Sequence, residues 1–464
     1  MSHTPSPHAA HSSQRASLAA VLVATFCNSL ASGVAYNGIY FITDNAYGFT
    51  NQMQLYFGLV TGVTYIIGSL SAGPAMRAIQ RVWPSLSIKR LLIGLLLVMT
   101  ATYMIPVTAW FAAPATDRRA SVLAVWVFMA IYSILCGVLW PVMESFLAGG
   151  RGSHSLRAAI GKFNITWSSS LIGSMLLISW IPGALMYVWS LAGHKLEPFD
   201  ATIASLAVAA SLHIISLAAI WHFPAKPAAH LHEDGHVTPA NYPQLLAVHR
   251  ALLPTSYMVM YVLLPLFPSL FRSVGVEGPL ASTLTGCWLA ARVVAFFILD
   301  RWHGWHGTWI TATAGTVLIL VGFALAFTAS LMGGFAVAAL LCGIVLFGFG
   351  VASIYFAALY YGMEVGAAQV DAGGAHEALI GVGYTAGPLI GLGAMWLAGP
   401  VASSGPSAAE AAESISAGQN TATVAIVTVA AGVGVGISMW VGVRAGRTAA
   451  RKAGLSKSSA PPAR

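Results

Sequence analysis

Charge is what this 464-residue chain has least of: Asp, Glu, Lys and Arg together make up 8% of it, against 57% hydrophobic residues. With a mean hydropathy of +0.76, no soluble domain of this length could cover its surface. Polar stretches are equally scarce. Residues 223–250 form the only sizeable one between apolar runs, too short for a separate soluble enzyme or sensor module. Alternating strand patterns are missing, which excludes a β-barrel. The four cysteines, Cys27, Cys136, Cys287 and Cys342, all fall within apolar runs, so they read as small packing residues and not as loop disulfides. The first apolar run is too long for a cleaved signal and reads as an uncleaved first helix.

What the chain does have is apolar runs of about 20 residues, each able to cross roughly 30 Å of hydrocarbon. Twelve recur, near 17–42, 54–76, 90–112, 120–149, 158–189, 201–222, 251–273, 278–300, 308–331, 334–362, 376–400 and 421–444. In lipid the backbone must satisfy its own hydrogen bonds, so these are helices and the fold class is all-α polytopic. Most of the basic residues fall on one side of such a topology. Arg15, Arg77, Arg81, Lys89, Arg90, Arg151, Arg157, Lys162, Lys226, Arg250, Arg301 and the run from Arg444 to Arg464 share the side of the termini, whereas Arg118, Arg119, Lys195 and Arg272 fall opposite. The positive-inside rule makes both termini cytoplasmic in a plasma (inner) membrane. The net charge of +8 is thus a topology signal set against anionic lipid headgroups, not a nucleic-acid surface.

The sequence also repeats itself. Leu139-Trp140-Pro141-Val142-Met143-Glu144 is echoed at an offset of 220 residues by Leu359-Tyr360-Tyr361-Gly362-Met363-Glu364; Ile160-Gly161 falls on Ile380-Gly381, and Arg81 on Arg301. Two in-register glutamates in so uncharged a chain point to duplicated halves. The domains expected are a tail (1–16), a first six-helix bundle (17–222), a His-rich linker (223–250), a second bundle (251–445) and a basic tail (446–464).

With these features the chain resembles the major facilitator superfamily of secondary transporters, over about residues 17–445. The loop after helix 2, Gly73-Pro74-Ala75-Met76-Arg77-Ala78-Ile79-Gln80-Arg81, keeps the family's first Gly and last Arg but places Arg77 where an acid is usual. Its copy, Asp300-Arg301-Trp302-His303-Gly304, keeps an Asp-Arg and a Gly. The resemblance implies two six-helix bundles around a central cavity lined by helices 1, 4, 7 and 10. It also implies acid–arginine networks on the cytoplasmic face, and it puts in question the helix 2–helix 11 lock that the missing acid helps form.

Candidate residues follow. Glu144 and Glu364 lie toward the inner ends of helices 4 and 10, beside Arg81 and Arg301 of their own halves. They read as gating pairs, static structural pairs or a proton site. Arg292 is the only ionised side chain well inside a helix, and it either faces a cavity as an anion ligand or snorkels toward the inner end. Asn28, Ser32 and Tyr36 at four-residue spacing, with Asn37, give helix 1 a polar face. Trp140, Asn164, Trp167, Tyr257, Tyr261, Tyr360 and Tyr384 complete a candidate substrate lining of amides and aromatics, for which interhelical packing is the alternative. Glycines such as Gly62, Gly68, Gly73, Gly343, Gly348 and Gly350 allow close helix approach. The histidines of 230–236, with His3, His8 and His11, read as solvated linker and tail, not as a metal site.

The expected function is transport of a small polar or amphiphilic solute by alternating access, as a monomer, without a cofactor and with protons as a candidate coupling ion. Polyspecific efflux is the alternative within transport. A membrane-embedded enzyme or a non-transporting sensor is the alternative outside it.

Overall fold

The computed structural model describes residues 15–229, 239–365, 370–397 and 423–445. The His-rich run, the segment 401–420, His3, His8, His11 and the basic tail from 446 onward lie outside the described residues. Among the described residues, twelve helices are long and apolar enough to span a membrane. They are α1 Leu18–Tyr47, α2 Asn51–Val82, α3 Ile88–Ala112, α4 Arg118–Ala148, α5 Ser155–Leu191, α6 Pro198–Ile220, α7 Tyr242–Ser273, α8 Gly278–Arg301, α9 Ile310–Phe327, α10 Ala329–Gly362, α11 Gly373–Leu397 and α12 Thr423–Ala445.

Local chemistry sets several ends. The chain leaves α1 through Gly48, whose left-handed backbone (φ 71°) an L side chain rarely adopts. Thr50 then caps α2 by accepting from the Met53 amide at 3.3 Å, and Ser87 caps α3 by accepting from Arg90 at 3.2 Å. At the C-terminus of α4, the buried Arg151 donates to the carbonyls of Phe146 (3.2 Å) and Leu147, and to Ala16 at 3.0 Å. A cation there satisfies orphan carbonyls and complements the helix dipole. Burial, with the charge of Arg15 nearby, pulls its pKa down to about 10, so it stays charged at pH 7.

Helix α7 begins at Tyr242, nine residues before the apolar run that foretold it. Hydropathy ends early there because Gln244, His249 and Arg250 interrupt it. His249 is nonetheless fully buried, between the Leu245 carbonyl (2.8 Å) and the Thr311 hydroxyl (2.9 Å).

The two halves repeat one packing plan. In the first, α1 packs on α5, α2 on α4 and α3 on α4; in the second, α7 packs on α11, α8 on α10 and α9 on α10. The halves meet through α2 against α11 and α5 against α8, which the repeat relates to each other. Large apolar side chains such as Val23, Leu70 and Trp396 stay exposed on the outward faces, as lipid contact requires. The side holding Ala16, Arg151 and the loops after α2 and α4 is called the terminal face below.

The α2–α11 seam depends on one close approach. A Cβ on Gly62 would lie 2.5 Å from the Thr385 amide nitrogen and the Tyr384 carbonyl carbon. Backbone contact at a small residue replaces charge as the means of joining these helices. Ser69 and Gly374 repeat it nearer the terminal face, where a Cβ on Gly374 would stand 2.6 Å from the Ser69 carbonyl. The seam therefore holds with Arg77 in place of an acid. Gly62→Ala should overpack it and lower stability by about 1–3 kcal/mol, read as a fall in melting temperature in detergent; an unchanged melting temperature would show that the approach is not tight.

Candidate functional site

A cavity with about 720 Å³ of empty space lies between the halves, lined by α1, α2, α4 and α5 on one side and α7, α8, α10 and α11 on the other. In α1 the segment Val34–Gly38 widens into a π-turn, a distortion often found at functional sites. It places Tyr36 and Asn37 on the cavity, joined by Ser29 and Ser32. The Tyr36 hydroxyl is buried there without a hydrogen-bond partner. Around it stands a tyrosine cluster drawn from both halves. Tyr36 meets Tyr65 and Tyr384 at 5.9 Å between ring centres, and Tyr384 stacks on Tyr261 at 3.8 Å and lies 5.6 Å from Tyr257.

Arg292 of α8 reaches the same cavity and is 2% exposed. Its guanidinium sits over the rings of Trp167 (4.7 Å), Trp288 (5.1 Å) and Phe296 (5.9 Å). Trp288 and Phe296 stand one turn either side on α8, while Trp167 comes from α5 across the interface. Asn164 holds that indole by accepting from its Nε1 at 2.9 Å. The aromatic faces stabilise the cation, yet Nε and Nη2 of Arg292 have no hydrogen-bond partner. The snorkelling alternative is therefore overturned: the side chain points into the protein because its ring partners are there.

Two carboxylates line this cavity. Glu377 of α11 is 5% exposed and accepts a short hydrogen bond from the Tyr65 hydroxyl of α2. Glu144 of α4 is 7% exposed and abuts α11 at Gly373, one turn before Glu377. The reading of Glu144 as half of a pair with Arg81 is corrected here. Glu144 faces α11 and the cavity, while Arg81 is solvent-exposed at the end of α2 and forms no ion pair among the described residues.

The second expected pair is also replaced. Glu364 bonds Arg157 of α5 at 2.9 Å, joining the two halves, and Arg301 lies instead over Phe297 of its own helix at 3.5 Å. Asp44 at the end of α1 pairs with Arg272 at the end of α7 on the opposite face, again between halves. Inter-half ion pairs thus stand on both sides of the cavity.

Of the candidate lining, Tyr36, Asn37, Trp140, Trp167, Tyr257, Tyr261, Arg292 and Tyr384 lie on the cavity. Three do not. Asn28 is fully buried within the first half, where its Oδ1 meets His213 Nδ1 at 2.9 Å and accepts from Ser216 at 3.0 Å. Each four-residue step along a helix drifts by about 40°, so Asn28 turns to α6 while Tyr36 turns to the cavity. Asn164 positions Trp167 and does not itself line the space. Tyr360 belongs to the terminal face, stacked on His306 at 4.6 Å and lying 5.3 Å under the Arg157 guanidinium.

Sequence reasoning missed Tyr65, Trp288, Tyr355 and Glu377. Glu377 was hidden because hydropathy starts its helix at 376, which puts it at a membrane edge; the helix begins earlier, so the carboxylate falls one turn inside. The inter-half partners Arg157, Asp44 and Arg272 carry no local signal at all.

No protein-family model and no curated protein matches the sequence. Solved structures with similar folds do exist. A proton-dependent oligopeptide transporter matches at TM-score 0.59 and 12% identity, over 91% of this chain and 99% of that one. An inward-facing bacterial homologue of the human lysosomal transporter Spinster matches at 0.58 and 13%, over 99% and 100%. A mutant of the nucleoside transporter NupG matches at 0.56 and 12%, over 92% and 98%. The chain has the fold of the major facilitator superfamily transporters.

The loop between α8 and α9 yields a pH prediction. Burial first, then the charges of Arg157 and His303, push the His306 imidazole from 6.5 down to about 4, with Glu364 opposing. Asp300, Tyr360 and His303 share its surroundings. The paired arrangement thus favours neutral His306 and is unaffected above pH 6.5. As pH falls from there toward 4, protonation should favour the arrangement that frees the ring from Arg157. Thiol labelling of the terminal vestibule should rise over that range, and His306→Gln should remove the part of the rise between about pH 6.5 and 5. A profile identical in the variant would exclude this histidine.

Proposed function

We propose that the protein is a secondary transporter that moves a small polar or amphiphilic solute across the membrane by alternating access. The observation that carries this is the cavity between two repeat-related halves, with a buried Arg292 whose Nε and Nη2 lack hydrogen-bond partners and the carboxylates Glu144 and Glu377 facing it. A buried charge without a counter-charge and with unmade hydrogen bonds is costly, so the cavity is built to be completed by a ligand. Tyr36, Asn37, Trp140, Trp167, Tyr257, Tyr261, Arg292 and Tyr384 are the proposed substrate contacts, with Tyr65 and Glu377 added to them. The terminal face is the cytoplasmic one, as its basic residues argue, and the protein works as a monomer in the plasma membrane.

The gating role passes to different pairs. Arg157–Glu364 closes the cytoplasmic side, and Asp44–Arg272 the outer side; both are formed here, and rocking of the halves opens one side at a time by breaking one pair while the other holds. Partial exposure of both arginines suits this, since a pair that must break repeatedly cannot be worth many kcal/mol. The repeated glutamates do not form one reaction centre, because Glu144 lies on the cavity and Glu364 on the terminal face, which argues against a membrane enzyme.

The test uses Phe163→Cys, a lining position, in a background lacking Cys27, Cys136, Cys287 and Cys342. Glu364→Gln or Arg157→Gln should raise its labelling from the cytoplasmic side severalfold, and Asp44→Asn should lower it. Labelling unmoved by all three would sink the gate assignment.

A further inference from the structure

The cavity is electrically two-ended, and its ends do not neutralise each other. Arg292 brings a full positive charge, held between Trp167 of one half and Trp288 of the other. Its Nε and Nη2 are unpartnered although the residue is 2% exposed. Glu144 and Glu377 face the same space, and no ion pair joins either to Arg292 among the described residues. The Tyr65 hydroxyl donates to Glu377, which orients that carboxylate as an acceptor. Glu144 abuts the α11 backbone at Gly373 and brings no cationic side chain with it.

A purely anionic solute would satisfy Arg292 and leave Glu144 and Glu377 without a cationic partner. A purely cationic solute would leave the guanidinium unpaired in a water-poor site. A neutral solute could hydrogen-bond at both ends but would bring no counter-charge to either. Only a solute bearing both charges supplies a counter-charge as well as hydrogen bonds at each end. The walls between the ends are aromatic: Tyr36, Tyr257, Tyr355, Tyr384 and Trp140 line the space. They suit an apolar or aromatic body and contribute area at low conformational cost.

We propose that the transported solute is an amphiphilic zwitterion, its carboxylate held by Arg292 within the Trp167–Trp288 box and its ammonium group by Glu377 and Glu144. This rests on the transport reading above and names its substrate class. Guanidinium is suited to the planar carboxylate because its fork of donors matches two acceptor oxygens. Each end of the site draws on both halves, since Arg292 comes from α8 and its box is shared with α5, while the carboxylates come from α4 and α11. Binding the zwitterion therefore ties both halves to one molecule, which a rocking mechanism requires of its substrate.

The experiment compares compounds that share a body and differ in charge. Purified protein in detergent is titrated with phenylalanine, phenylpropanoate and phenethylamine, and with para-(aminomethyl)benzoate, para-toluate and para-methylbenzylamine. Thermal stability and tryptophan fluorescence are read together, because Trp140, Trp167 and Trp288 line the cavity. At least one zwitterion should bind about tenfold or more tightly than both of its single-charge analogues, a difference of about 1.4 kcal/mol. Arg292→Gln should remove that preference for the zwitterion over the amine, and Glu377→Gln with Glu144→Gln should remove its preference over the carboxylate. Arg292→Lys should retain part of the first preference, which separates loss of charge from misfolding. Equal binding of a zwitterion and its carboxylate analogue would overturn the proposal, as would no shift with either zwitterion. Uptake into proteoliposomes separates the two claims: zwitterion binding without uptake contradicts transport and leaves the site standing, whereas uptake of a single-charge analogue alone does the reverse.

Discussion

Removing a charge from water is expensive, and nearly everything specific about this protein follows from where it tolerates that cost. The chain places few ionised groups within its spans. Three ion pairs stand near the ends of helices: Arg118 with Asp200, Arg157 with Glu364 and Arg272 with Asp44. The first stays within one half and joins α4 to α6, where Asp200 also accepts from Trp110 at 2.9 Å. The other two cross between halves. Arg292, Glu144 and Glu377 are the charged residues buried within the described spans, and all three face one cavity. One pair thus neutralises charge within a half, two join the halves as the proposed gates, and the buried charges without ion-pair partners mark the proposed binding space.

Uncharged contacts supply the rest of the frame. Where the halves meet along α2 and α11 the backbones touch at Gly62, and a similar approach brings Gly348 of α10 against the carbonyl of Trp288. The second contact sets the rotation of α8 and so fixes the wall on which Arg292 lies. Packing of this kind is short-ranged and neutral, so it can slide or hinge without exposing a charge. Ion pairs then bias which arrangement is populated, in small steps suited to reversible motion.

The fold was almost wholly legible in the sequence because its cause is local. Twenty apolar residues in lipid must be helical, and the 220-residue echo shows that six helices repeat. The site was legible only in part. Arg292 announced itself as the one charge deep in a helix, and Tyr36, Trp167 and Tyr384 by chemistry that is costly to bury. Pairing was not legible. Arg81 and Glu144 belong to neighbouring elements of one half, yet each side chain's direction depends on helix rotation, which no spacing rule sets; Glu364 turned to Arg157 of the other half instead of to Arg301. Glu377 escaped notice for a simpler reason, that hydropathy locates the end of an apolar run and not the first turn of the helix.

The account depends most on the halves moving as bodies about the cavity. Spin labels at Lys162→Cys and Val365→Cys would report the separation of α5 and α10 at the terminal face, and labels at Gln52→Cys and Ser273→Cys that of α2 and α7 opposite. All four positions are exposed. Pulsed dipolar spectroscopy in lipid nanodiscs should show two distance populations for each pair, with Glu364→Gln lengthening the first and shortening the second. A single unchanged distance at both faces, in the parent and the variant alike, would contradict alternating access.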